Sequence, residues 1–112
     1  MTNINLQEEH CVPCEGGIAP LSQSEAEATM KHVSGWELSP PGKNISRDFK
    51  FKDFKEAMIF VSNVAALAEG EGHHPDIFIS YNKVHLGLST HAIGGLSTND
   101  FILAAKVNVL RK

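Results

Sequence analysis

Arginine occurs only twice in this 112-residue chain, at Arg47 and Arg111, and no run of basic residues is longer than two. With 10 Lys and Arg against 13 Asp and Glu, and a formal net charge of -3, the chain lacks the basic stripe that holds phosphate backbones, so direct nucleic-acid binding is not expected. No apolar run approaches the roughly 18 residues of a spanning helix, and the N-terminus lacks the basic-then-apolar order of a signal peptide. These absences predict a soluble, cytoplasmic protein with no membrane partner. At this length one domain is expected, burying roughly two-thirds of its unfolded surface.

Cysteine is also scarce. Both copies fall in His10-Cys11-Val12-Pro13-Cys14, which supplies at most two thiolates where a structural zinc site needs four ligands. His10 and His32 are possible completions that no spacing fixes, and the proline-containing segment is not the strand-to-helix setting of a redox pair. The motif reads as half a site or as a local turn, within an irregular N-terminal segment of residues 1–20 ahead of a domain spanning 21–112.

What is present is clear punctuation. Ser22 and Glu25 form a capping box behind Leu21, which predicts a first helix over about 23–33, stopped by Ser34-Gly35. Trp36-Glu37-Leu38 starts an extended segment, and Pro40-Pro41-Gly42 turns it into a second strand. In that strand Ile45, Arg47, Phe49 and Phe51 alternate with Ser46, Asp48, Lys50 and Lys52, leaving Arg47 as the polar interruption of the apolar face. Asp53 and Glu56 cap a strongly periodic helix carrying Phe54, Ala57, Met58, Val61, Val64, Ala65 and Ala68 up to Glu69, closed by Gly70 and Gly72. Ile59, Phe60 and Leu67 widen its stripe toward another helix or subunit. Ile77–Tyr81 and Val84–Thr90, joined by Asn82-Lys83, predict a hairpin, and Leu96-Ser97-Thr98-Asn99-Asp100 opens a last helix through Val109. The order αββαββα predicts an α+β fold: a four-stranded antiparallel sheet with three helices packed on one face.

Three histidines fall within the stretch from His73-His74-Pro75 to Ser89-Thr90-His91. His73 and His74 follow a helix terminus, and Pro75 holds the backbone of His74 extended, so their side chains diverge. A hairpin returns its last residue to the neighbourhood of its first, which places His91 near the same corner, with Glu69 and Asp100 able to line the cleft. Three imidazoles suit metal ligation or proton transfer, and each alone also suits a helix or loop cap. Divergent neighbours without an HxH or HxxxH pair argue against a shared ion and for acid/base work. Asp100 reads equally as a helix-start residue favoured by the dipole. His85, mid-strand beside Gly87, reads as a structural or subunit-contact residue.

The spacing Glu69, three residues, His73-His74-Pro75, then Tyr81-Asn82-Lys83-Val84-His85, Ser89-Thr90-His91 and Asp100 resembles the pterin-4a-carbinolamine dehydratases, with similarity running from about Trp36 to the last helix. The resemblance implies a hydro-lyase that dehydrates 4a-hydroxytetrahydropterin to quinonoid dihydropterin in tetrahydropterin recycling. Its pterin is substrate rather than cofactor, and its assembly is a homodimer or homotetramer. By position it makes His73, His74 and His91 catalytic without a metal, Glu69 and Asp100 supporting, and Ser89, Thr90, Ile77 and Tyr81 substrate-binding. Gly72 and Ile77 replace an acidic residue and a pocket-flanking Trp of animal members, and the Cys11–Gly17 segment resembles bacterial and plant relatives. The alternative from the same resemblance is a non-catalytic binding module, a Rubisco assembly factor-like chaperone or a transcriptional coactivator. The joint presence of all three histidines favours the enzyme.

Overall fold

A computed structural model describes residues 6–11, 19–39 and 42–111. Cys14 and the Pro40-Pro41 turn lie outside the described residues. A short 3-10 turn at Leu6–Glu8 precedes α1 (Gln23–Thr29), which tightens into a second 3-10 turn at Met30–His32. Then come β1 (Glu37–Ser39), β2 (Asn44–Lys50), α2 (Phe54–Glu71), β3 (Asp76–Ser80), β4 (Lys83–Leu88), a third 3-10 turn (His91–Ile93) and α3 (Thr98–Arg111). The sheet is antiparallel throughout, in the order β1-β2-β4-β3, so the expected αββαββα fold is the observed one.

Local chemistry accounts for most element boundaries. Ser22 accepts from the Glu25 N–H while Glu25 reaches back to the Ser22 N–H, the reciprocal box that starts α1. Asp53 caps α2 by accepting from the Glu56 N–H at 2.9 Å, and the Glu56 carboxylate accepts from the Lys52 N–H. Alternation aims Ile45 and Phe49 of β2 and Val84, Leu86 and Leu88 of β4 into one core under the helices. Helix α3 is buried on nearly every side from Asn99 to Ala105, as a helix wedged between a sheet and further covering elements must be.

Three boundaries differ from expectation. Helix α2 continues through Gly70 to Glu71, and Gly72 alone ends it, with φ +67 in the left-handed region. A glycine within a helix costs only about 1 kcal/mol, and Gly70 is one residue from the end of α2, where the contacts of Glu71 described below hold the last turn. The hairpin turns at Tyr81-Asn82 rather than Asn82-Lys83, because Asn82 exchanges bonds with the Phe51 backbone (2.8 and 2.9 Å) and Lys83 pairs with Ser80. Strand β4 stops at Leu88, and Thr90 instead forms a lone antiparallel bridge with Gly95. Of the second apolar line of α2, Phe60 is buried and Leu67 packs on the core, while Ile59 stays exposed.

Arg47 is accommodated on the apolar face by a polar knot. Its guanidinium donates to Asn108 Oδ1, which also accepts from the Trp36 indole at 2.9 Å, and it lies 4.6 Å over the Phe49 ring. Burial, with the nearby positive charge of Arg111, lowers its pKa from the ordinary arginine value.

Candidate functional site

The site is assembled where three chain reversals meet. At the end of α2 the N–H groups of Gly72 and His73 both reach the Ala68 carbonyl, so the chain leaves the helix in one tight turn and presents His73 immediately. At the end of β4, Thr90 and Gly95 bridge (Thr90 N–H to Gly95 O, 2.7 Å), pinching off the turn that carries His91. Gly95 is required there, since a Cβ would fall 2.8 Å from Pro20 Cβ. Asp100 then sits in the first turn of α3, where the helix dipole favours a carboxylate.

Asp100 is the hub. It is wholly buried, and its Oδ2 accepts from the Thr90 hydroxyl at 2.8 Å and the Ser97 N–H at 2.9 Å. Its Oδ1 lies 2.6 Å from His73 Nε2. A carboxylate only accepts, so the imidazole donates from Nε2, and that fixes the tautomer with Nδ1 available on the other side. Burying an ionised carboxylate demands this number of donors, since removing one leaves an uncompensated charge. The His73 side chain is itself only 11% exposed.

His74 goes the other way. Its Nε2 lies 2.5 Å from Glu69 Oε2, one turn back on α2, but both side chains are mainly in water (60% and 76% exposed). Glu69 and Asp100 therefore do not share a cleft; each serves one of the adjacent histidines. His91 is exposed on its 3-10 turn, one residue from Thr90 and thus one hydrogen bond from the Asp100 hub. Ser89 is half-buried beside it. Ile77 is half-buried against the core, paired with Leu86. Tyr81 lies at the hairpin tip, 64% exposed, with all of β3 between it and the histidine corner, so within one chain it is not brought to the site. His85 belongs to the open face of the sheet, where its Nδ1 meets Asp48 Oδ1 at 2.5 Å beside Phe78.

Two residues of this neighbourhood were not singled out as site residues from the sequence. Ser97 ties Thr90 and Asp100 together, its hydroxyl 2.8 Å from that of Thr90; the Ser97-to-Asp100 spacing signalled only a cap. Glu71 had no signal, because its partners come from segments remote in sequence.

Comparisons with known proteins point to one family. A sequence model described as Pterin 4 alpha carbinolamine dehydratase matches residues 19–110. A protein of Nitrosomonas eutropha named "Putative pterin-4-alpha-carbinolamine dehydratase" is 49% identical over 98% of this chain and 97% of its own. One of the same name from Halorhodospira halophila is 45% identical over 96% of this chain and 98% of its own. Among solved structures, a transcriptional coactivator/pterin dehydratase from Brucella melitensis superposes with a TM-score of 0.78 at 35% identity, covering 83% of this chain and 99% of that one. A pterin dehydratase-like protein identified as a RuBisCO assembly factor in the alpha-carboxysome superposes with a TM-score of 0.60 at 24% identity, over 70% of this chain and 92% of that one, a likeness of fold alone.

Proposed function

Because this chain belongs to the pterin 4 alpha carbinolamine dehydratase family, we propose that it dehydrates a 4a-hydroxytetrahydropterin to quinonoid dihydropterin by histidine acid/base catalysis. The observation that carries the proposal is the His73–Asp100 couple, a nearly buried imidazole whose tautomer is set by a fully buried, fully bonded carboxylate.

The reaction removes the 4a-hydroxyl and the N5 proton and leaves a C4a=N5 double bond. The hydroxyl departs as water only if it is protonated, and the N5 proton needs an acceptor. With Nε2 committed to Asp100, His73 exchanges a proton only through Nδ1, which makes it a directional acid or base. His91, exposed one residue beyond Thr90, faces water and serves the opposite step. His74 binds the substrate and assists as base, oriented by Glu69. The half-buried Ser89 and the Thr90 backbone flank the ring, with Ile77 on the hydrophobic side. No metal is required for this chemistry, since positioned acid/base side chains contribute roughly 10²- to 10⁴-fold each. Tyr81 could join a site only from a neighbouring subunit, and the exposed Phe54 and Ile59 of α2 and Phe78 of β3 support a homo-oligomer, which light scattering at micromolar concentration tests.

The test of function is stopped-flow dehydration of a synthetic 4a-carbinolamine. The wild-type protein accelerates it, and His73→Ala and His91→Ala each reduce kcat by about 10² or more. Unchanged rates in both variants would falsify the mechanism.

A further inference from the structure

The stretch Leu6–Cys11 precedes the residues matched by the family, 19–110, yet it is anchored to Glu71 and Asn99, close neighbours in the chain of His73 and Asp100. Its 3-10 turn buries Leu6 against α3. Its Cys11 N–H donates to Glu71 Oε1 at 2.8 Å, and His10 Nδ1 lies 3.1 Å from Glu71 Oε2. Lys106 of α3 sits 3.6 Å from the same Glu71 oxygen and donates to the Gln7 carbonyl at 3.0 Å. The Cys11 thiol reaches the carbonyl of Asn99, the residue before Asp100, at 3.6 Å.

These ties converge on the two ends of the couple. Glu71 is two residues before His73, and the intervening Gly72 is locked by the shared Ala68 carbonyl, so there is little slack between the two side chains. The Glu71 side chain is only 10% exposed, and Lys106 12%. The Cys11 N–H lowers the Glu71 pKa most, against the opposing effect of burial and with help from His10 and Lys106, so the carboxylate stays charged in its clamp. We infer that Glu71 is a positioning residue: through it the N-terminal strap Leu6–Cys11 locks the last turn of α2 against α3 and sets the reach of His73 to Asp100. The inference rests on His73 being an acid/base group of the proposed reaction.

The test uses the full-length protein and two readouts: kcat and KM with a synthetic 4a-carbinolamine, and the imidazole ¹⁵N shifts of His73, which report its tautomer. Glu71→Ala lowers kcat by about 10- to 100-fold while KM stays within about 2-fold, the size of effect that outer-shell misplacement produces. It also moves the His73 shifts toward those of a free, tautomer-averaged imidazole. Glu71→Gln recovers most of both, because its amide oxygen still accepts from the Cys11 N–H. A folded Glu71→Ala variant with unchanged His73 shifts and kcat overturns the inference. Should Glu71→Ala not fold, Lys106→Met severs only the ties of Lys106 to Glu71 and Gln7, and unchanged His73 shifts there overturn it equally. A wild-type protein without dehydratase activity, whose His73 shifts still respond to Glu71→Ala, removes the proposed reaction and leaves the strap standing.

Discussion

His73 and His74 are neighbours in the chain, and each meets a carboxylate at almost the same distance, 2.6 Å and 2.5 Å. Their surroundings differ completely: the partner of His73 is wholly buried and bonded to two further donors, whereas the partner of His74 is 76% exposed. Distance therefore says little about what either pair does. In water an ion pair is screened, and ordering two side chains offsets most of its attraction, so exposed pairs contribute about 0 to 1 kcal/mol. Out of water the same geometry becomes a constraint that cannot be released without stranding a charge. The exposed His85–Asp48 pair on the open sheet face, at 2.5 Å, falls with His74 in this division.

The largest expected effect breaks the buried couple outright. Asp100→Ala strands His73, Thr90 and the Ser97 N–H together, and its urea midpoint should report a loss of about 3–5 kcal/mol. A loss below about 1 kcal/mol would put the buried pair on the footing of an exposed one. Next comes a kinetic contrast: His73→Gln is expected to lower kcat by about 10²-fold, while His74→Gln acts mainly on KM. Equal effects on kcat from both would erase the distinction drawn between them.

A smaller effect concerns acid stability. The Glu71 pKa is depressed below its ordinary value of 4.5, so its folded state binds the proton less readily than the unfolded chain. Its stabilisation is present above the ordinary value and lost as pH falls through the folded one. Glu71→Gln should therefore flatten the acid limb of the stability-against-pH curve, and an unaltered limb on thermal unfolding would deny Glu71 this part. The smallest change is expected at Glu69→Gln, whose melting temperature should correspond to a shift within about 0.5 kcal/mol of wild type.

Much of the fold was legible because its signals are local. Ser22 and Glu25 marked the start of α1, Asp53 and Glu56 that of α2, and the alternation through Ile45, Arg47 and Phe49 identified the inward face of β2. The errors came where a remote partner overrode a local preference. Gly70 reads as a stop, but the helix runs on to Glu71, held by Cys11 and Lys106. Asn82-Lys83 reads as a turn, but Phe51 holds Asn82 and moves the reversal to Tyr81. At the candidate site the hairpin argument returned the end of β4 toward the start of β3, and Thr90 meets His73 through Asp100. It could not say that Glu69 and Asp100 would serve different histidines, because that depends on which carboxylate the packing of α3 encloses.

By itself, then, the sequence determined the order of elements, the faces of the strands and the return of the hairpin's end toward its start, since periodicity, capping and hairpin return act over a few residues. Only the tertiary structure decided which imidazole is held and which is left in water. That choice rests on burial, and burial is a property of α3 wedged between the sheet, α2 and the N-terminal strap, with Asp100 enclosed at its first turn.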